Sequence, residues 1–306
     1  MKMRSPDLGF IKGVSEQCSR EESLEVFRKI SRIRHFELGA KDAFDAKIIK
    51  MPIYLSVGQE AVASALSIAY PNPHVFATHR CHDYYLAYGG DPTALADELL
   101  HVPSGCVKGM GGSASIHFHK DSTHVHGHDG FIGTQVPIGV GYALATGKNC
   151  LIVAGDAAWE EDYAISAMAY AAHKKAPILF IGMDNGLSIL TKIEVRRNWN
   201  IPDLARAFGI PAVEIADDPW LVMHHVRKLS TQLPAFLNVK VVRHLWHNNT
   251  GTDGPPEWDR YALIKEELRR IGLGTQAEEI ETEAKNFADS LWQERRKVQQ
   301  ESGVLT

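Results

Sequence analysis

The sequence predicts an α/β protein built on a mostly parallel sheet, with helices on both faces and helical extensions at both ends. Three observations predict it. Residues 150–154 are an apolar run of strand length, residues 160–175 carry alanines, Met168 and Tyr170 at helical spacing, and residues 178–183 are apolar again. That is the pattern of a strand, a crossover helix and a second parallel strand. Upstream, Val26, Ile30, Ile33, Phe36, Ala40 and Phe44 recur every three or four residues with no intervening proline. Downstream of Pro255-Pro256, Trp258, Tyr261, Ile264, Leu268 and Ile271 repeat the helical interval. The chain therefore divides into a helical arm (1–50), an α/β domain (51–254) and a helical tail (255–306).

The first helix spans 21–47 by its stripe, and a second spans 58–69, ended by Pro71-Asn72-Pro73, because the residue before a proline avoids helical backbone. Val75-Phe76-Ala77 is a short strand leading to the polar cluster Thr78-His79-Arg80-Cys81-His82-Asp83. A helix over 93–100 opens at Asp91-Pro92 and closes before Pro103. Residues 104–133, rich in glycine and histidine, read as loop, and a helix follows over 138–146. Then come a short helix (204–208), a strand (213–215), a helix (220–233) and a last apolar strand (235–242). Thr275 to Gln300 repeats the tail's helical pattern more weakly.

A chain of 306 residues can bury a substantial core. Its 33 basic and 37 acidic residues leave a net charge of −4, with no basic run, so no footprint for nucleic acid is visible. Cys18, Cys81, Cys106 and Cys150 have no metal-binding or framework spacing and read as reduced thiols. No window reaches the roughly 18 apolar residues of a membrane span, and the first residues lack an apolar targeting core. The expectation is a soluble, cytoplasmic protein.

The segment Gly155-Asp156-Ala157-Ala158 is answered 28 and 29 residues after its aspartate by Asp184-Asn185. Right-handed crossovers place the carboxyl ends of parallel strands on one edge of the sheet, where open α/β folds bind ligands. Asp156 and Asn185 offer hard oxygen donors suited to Mg²⁺, and the Leu187 carbonyl adds a third. A Gly-Asp pair after a strand is by itself an ordinary turn; its pairing with Asn185 favours the metal site.

Together with Gly58-Gln59-Glu60-Ala61, Thr78-His79-Arg80-Cys81-His82, Lys108-Gly109-Met110-Gly111-Gly112-Ser113 and Ile132-Gly133-Thr134-Gln135-Val136-Pro137, these segments resemble the α subunit of the thiamine-diphosphate-dependent 2-oxoacid dehydrogenases, of the pyruvate, branched-chain and acetoin type. The similarity runs from about Glu21 to about Arg270, in order. It implies a thiamine-diphosphate-binding fold, with Asp156, Asn185 and the Leu187 carbonyl as Mg²⁺ ligands beside Gly155 and Ala157. It implies that Arg80 grips the diphosphate, as a guanidinium can bidentately, with His79 beside it where many relatives carry tyrosine. His247 matches a histidine near the diphosphate and the reaction centre, and the backbones of Gly130 and Ile132 match those that contact the aminopyrimidine ring. His82, His128 and His247 are the candidate catalytic residues, and Tyr54 stands in the substrate position.

The glutamate that drives ylid formation belongs, in two-subunit relatives, to a separate transketolase-like β subunit. Neither Glu60 nor Glu161 matches it. The implied assembly is α₂β₂, with the apolar helices at both ends as contact surfaces and a lipoyl-bearing acyltransferase as a further partner. Besides His79, five positions depart from the family pattern. Ala157 replaces a glycine, at a cost of about 1 kcal/mol if the backbone needs positive φ. Asp184 replaces an asparagine, Asp83 brings a carboxylate toward the expected phosphate site, and Asn248 replaces the serine phosphorylated in mitochondrial relatives. Tyr54 stands where pyruvate-using relatives carry histidine, so the 2-oxo acid is left unnamed.

His124, His126 and His128 alternate, and on an extended segment would face one side and could hold a transition metal. No cysteine or carboxylate stands at matching spacing, which favours His128 reaching the substrate pocket and the others lying on a loop surface. For Arg80 and His247 taken alone, the plain readings are a surface ion pair and a solvated histidine; for Trp199 and Trp246, core or interface packing. The leading function is decarboxylation of a 2-oxo acid with acyl transfer to lipoyl. The alternatives are a carboligase or transketolase-like transfer subunit using the same cofactor, and a non-catalytic scaffold.

Overall fold

A computed structural model of the protein describes residues 6–245 and 249–302, with side chains as far as residue 298. The strands in chain order are β1 (His74–Phe76), β2 (Phe118–Lys120), β3 (Thr123–His126), β4 (Cys150–Gly155), β5 (Ile178–Asp184), β6 (Leu187–Ser188), β7 (Thr191–Lys192), β8 (Ala212–Ala216) and β9 (Ala235–Lys240). The helices are α1 (Arg20–Asp45), α2 (Glu60–Ala69), α3 (His82–Ala87), α4 (Pro92–Leu99), α5 (Gln135–Thr146), α6 (Asp162–Lys174), α7 (Ile193–Arg196), α8 (Ile201–Ala207), α9 (Pro219–Leu229), α10 (Arg260–Arg270) and α11 (Gly274–Ser302). Seven strands make one sheet in the order β2-β3-β1-β4-β5-β9-β8, parallel throughout except for β2 against β3. β6 and β7 form a separate antiparallel ribbon.

Strand side chains alternate between faces, and this alternation separates two cores. From β4, Leu151 and Val153 join one cluster while Cys150, Ile152 and Ala154 join the other. From β5, Leu179 and Ile181 go one way and Ile178 and Phe180 the other. The larger cluster is closed by α1, α2, α9, α10 and α11, the smaller by α5, α6 and α8. Helices thus cover both faces, as a parallel sheet requires.

Most of the apolar stripe at each helical end is covered within the chain, while Leu38 on α1 and Phe287 on α11 stay exposed. The covered residues pack on the other end and on the central segment: Val26, Ile30 and Ile33 are at most 1 % exposed, and Trp292 is 2 % exposed. The ring of Trp292 sits in the notch left by Gly39 and donates Nε1–H to the Phe36 carbonyl at 3.0 Å. Ser19 and Glu22 close a capping box at the start of α1, satisfying N–H groups that the first turn leaves free.

The glycine- and histidine-rich segment also differs from expectation. Part of it is the β2–β3 hairpin, and β3 joins the main sheet beside β1. Its burial alternates, with Thr123 and Val125 inward; histidines in the remaining positions hid the period-2 signal. α5 begins at Gln135, three residues early, because Pro137 fits the first turn, where its missing N–H would be unbonded.

Candidate active site

Strand order places β4 between β1 and β5, and the chain passes from β1 outward to β3 before returning to β4. The carboxyl ends of β1, β4 and β5 therefore open one crevice, the place where such sheets bind ligands. A cavity of about 320 Å³ lies there. It collects Tyr54, His79, Arg80, His128, Gly130, Ile132, Gly155, Asp156, Ala157, Asn185 and Leu187 from the sequence-predicted set. Gln59 reaches it through the tight turn before α2, which needs Gly58: φ there is +96°, and a Cβ would stand 2.3 Å from the Val242 carbonyl oxygen.

Gly155 ends β4 opposite Met183, which puts Asp156 beside the Asp184-Asn185 exit of β5. Asp156 is 1 % exposed, and burial first, then the neighbouring Asp184 carboxylate, push its carboxyl up to about 6, against the pull of Arg196. Arg196 Nη2 lies 2.5 Å from Asp156 Oδ2, and the same guanidinium reaches Glu160. The buried carboxylate thus already attracts a cation. Asn185 Nδ2 donates to Asp253 Oδ2 at 2.9 Å. A carboxylate only accepts, so this bond fixes the amide and turns Oδ1 toward the other side. Asp156, Asn185 and Leu187 together supply hard oxygens to one part of the cavity, a donor set that suits Mg²⁺.

The opposite need is met in the same cavity by Arg80. Arg80 is 7 % exposed and makes no ion pair among the described residues; its Nη1 donates to the Leu55 carbonyl. Burial, then repulsion from Arg243, draws its pKa down to about 10. Arg243 also lines the cavity, held by Asp253 and by a 2.8 Å bond from Nη2 to the Ile189 carbonyl. Two buried guanidiniums beside one cavity favour a polyanion. Tyr54 stands edge-on to His79, with ring centroids 4.8 Å apart, and the Tyr54 N–H donates to Ser113 Oγ at 2.9 Å.

The candidate histidines separate. His128 is buried in the cavity wall and 6.0 Å from the His79 ring. His82 is a correction: it is fully buried outside the cavity, its Nδ1 2.9 Å from Glu37 Oε1 and its Nε2 2.9 Å from Ser113 Oγ. Held by both nitrogens, it steadies the loop that carries Tyr54 and does not meet the ligand space. His247, with Trp246 and Asn248, lies outside the described residues. His124 and His126 do not lie on a loop surface. They stack with His74 and His119 at the sheet edge, with centroids 3.9 Å apart for His119 and His124. Among the described residues no three His, Cys, Asp or Glu side chains are grouped to hold a metal ion.

Gly130 is exposed at the cavity rim with φ +96° and open space around its Cα, and the Ile132 carbonyl accepts the Tyr163 hydroxyl. Ala157 has φ −71°, so its departure from glycine carries no strain. Asp83 is 1 % exposed, does not line the cavity and accepts the Tyr84 N–H. Glu60 is bound by Arg34 and by the Gly58 N–H at 2.9 Å. Trp199 packs on the smaller core under Arg197. Arg243, Gln135, Thr78 and Met183 line the cavity without having been given a site role from sequence. Arg243 was legible in principle, since it follows β9 at the same sheet edge; Gln135 stood in a segment that carried the resemblance but was given no role, and Met183 gave no local signal.

The family model described as the dehydrogenase E1 component matches residues 28–252. The mitochondrial pyruvate dehydrogenase E1 component subunit alpha of Dictyostelium discoideum is 33 % identical over 177 residues, covering 56 % of this chain and 46 % of that one. The pyruvate dehydrogenase E1 component subunit alpha of Zymomonas mobilis is 32 % identical over 206 residues, covering 65 % and 58 %. The chain thus spans about half the length of the curated relatives it matches. Among solved structures, transketolase from Campylobacter jejuni superposes with a TM-score of 0.57 at 14 % identity, over 91 % of this chain and 49 % of that one, a likeness of fold. With the profile spanning most of the chain and the cavity assembled from the segments it covers, the protein belongs to the dehydrogenase E1 component family.

Proposed function

We propose that this chain is the cofactor-binding α subunit of a two-subunit enzyme that uses thiamine diphosphate and Mg²⁺ to decarboxylate a 2-oxo acid and pass the acyl group to a lipoyl-bearing acyltransferase. The observation that carries the proposal is the cavity itself. Asp156 and Asn185 stand at the adjacent ends of β4 and β5, and the buried Arg80 faces the same space. Oxygen donors for a divalent cation and a guanidinium for its polyanionic partner are the two halves of a metal-diphosphate site. Family membership, and relatives named as pyruvate dehydrogenase α subunits, support the reading.

The bound cofactor would supply the nucleophilic carbon and the electron sink. The work of this chain is positioning. Asp156, Asn185 and the Leu187 carbonyl would hold the cation; Arg80, with Arg243 lining the same cavity, would hold the diphosphate. The backbones of Gly130 and Ile132 would contact the pyrimidine ring, and Tyr54 and His79, which line the same cavity, would meet the substrate. His247 belongs to the same proposal. Cation binding at Asp156 requires Arg196 to share or yield the carboxylate.

Among the described residues no glutamate lines the cavity. This supports a transketolase-like β subunit that brings the pyrimidine glutamate, in an α₂β₂ assembly. Four cysteines free of disulfides are consistent with a cytoplasmic setting, and no helix among the described residues is long and apolar enough to cross a membrane.

The test is turnover of 2-oxo acids by the purified chain with a candidate β subunit, using a dye as electron acceptor. Dye reduction that requires both chains, the cofactor and Mg²⁺ supports the proposal. Carbon–carbon bond formation without lipoyl transfer identifies a carboligase, and loss of Mg²⁺-dependent cofactor binding with every partner identifies a scaffold.

A further inference from the structure

His128 is 3 % exposed, and one side of its ring is fixed: the Gly130 N–H donates to Nδ1 at 2.9 Å. A ring nitrogen that accepts an N–H carries no proton of its own, so the imidazole is neutral with its proton on Nε2. Burial, which disfavours the charged ring, holds its pKa below the usual histidine range and agrees with that state. Nε2 is buried with no hydrogen-bond partner among the described residues. Gln135 is its nearest polar neighbour, and the pull of that side chain favours the protonated ring against the effect of burial. Gln135 donates its amide N–H to the Val153 carbonyl at 3.0 Å, which fixes the amide orientation and leaves Oε1 buried and without a partner as well.

Buried polar atoms are almost always paired. Here a donor and an acceptor, both lining the cavity, face each other without a well-aligned hydrogen bond between them, so that an oxygen placed against both can take over the contact. We infer that His128 Nε2–H and Gln135 Oε1 form a recognition pair for the uncharged oxygen on the second carbon of a 2-oxo acid, with His128 as the neutral donor that touches it. A keto oxygen accepts the Nε2–H, and a hydroxyl at the same carbon also donates to Oε1. The substrate carboxylate is the poorer match, because the Gln135 oxygen repels its charge. The inference rests on the proposed 2-oxo acid reaction, while its first part concerns the chain alone.

Heteronuclear NMR of labelled histidine rings in the isolated chain, assigned with His128→Gln, reads the tautomer independently of any reaction. A proton on Nε2 and none on Nδ1 across the neutral range is expected. A doubly protonated ring, or a proton on Nδ1, overturns the inference whatever the fate of the cofactor reading. The complete enzyme with its β subunit, cofactor and pyruvate as probe tests the second part. His128→Leu, which lacks a donor, lowers kcat/KM by about tenfold or more and leaves cofactor affinity unchanged, while His128→Gln, which keeps an N–H, restores part of the loss. Equal losses in the two variants, or a loss traced to cofactor affinity, contradict it.

Discussion

Asn185 and Asp253, 68 residues apart, are joined by a 2.9 Å bond from the asparagine amide to the aspartate carboxylate. The same carboxylate takes the Arg243 guanidinium at 2.6 Å. One buried acid therefore orients both a candidate metal ligand and a candidate phosphate contact. Asp253→Asn should weaken Mg²⁺-dependent thiamine diphosphate binding by about tenfold to a hundredfold, the scale seen when the support of a ligand is lost. Titration calorimetry checks it; unchanged affinity would show that the orientation of Asn185 is immaterial.

Arg196 competes for the carboxylate that the cation needs. Arg196→Ala should raise Mg²⁺ affinity, because the competing guanidinium is gone, and lower the stability of the metal-free chain by about 3 kcal/mol, because a buried carboxylate is left without its partner. Cation titrations and thermal melts, compared with wild type, read the two effects separately.

The stacked histidines predict a pH dependence of stability. Burial first, then neighbouring imidazoles, hold His74 and His126 down to about 4, from 6.5. Between those values the unfolded chain binds more protons than the folded one, so stability is full above about 6.5 and is lost as pH falls toward 4. His126→Phe, which can still stack on Phe76, should flatten that decline in Tm. An unchanged decline would place its origin elsewhere.

Gly39 is the seat of Trp292: a Cβ at Gly39 would stand 2.1 Å from the Trp292 ring. Gly39→Ala should cost about 2 kcal/mol, as overpacking does, and Trp292→Ala about 3–5 kcal/mol. Chemical denaturation followed by fluorescence measures both. If neither variant moves the midpoint, α1 and α11 are not packed as described.

Much of the fold was legible because the parallel core advertises itself: the apolar runs at 150–154 and 178–183 became β4 and β5, and the α1 stripe is buried as spaced. The hairpin at 118–126 was hidden because histidines occupy the partly exposed positions of β3, so the alternation reads as polarity throughout. The site's backbone-borne members followed from strand ends, which sequence order and crossover handedness place together. Side-chain reach did not follow: His82 turns to Glu37 and Ser113, Asp83 turns away from the cavity, and Arg243 turns toward it. Those directions depend on long-range packing that local pattern does not encode. The apolar ends were legible only in part for a related reason, since a stripe shows that something is covered without showing how much of the cover comes from the same chain.

In the proposed site Asp156 anchors a cation that holds the diphosphate. The most direct test is thiamine diphosphate affinity of the wild-type chain and Asp156→Ala, each with and without Mg²⁺. Binding that needs Mg²⁺ in the wild type and is lost in Asp156→Ala is the predicted result; equal affinity in the two, or affinity indifferent to Mg²⁺, would contradict it.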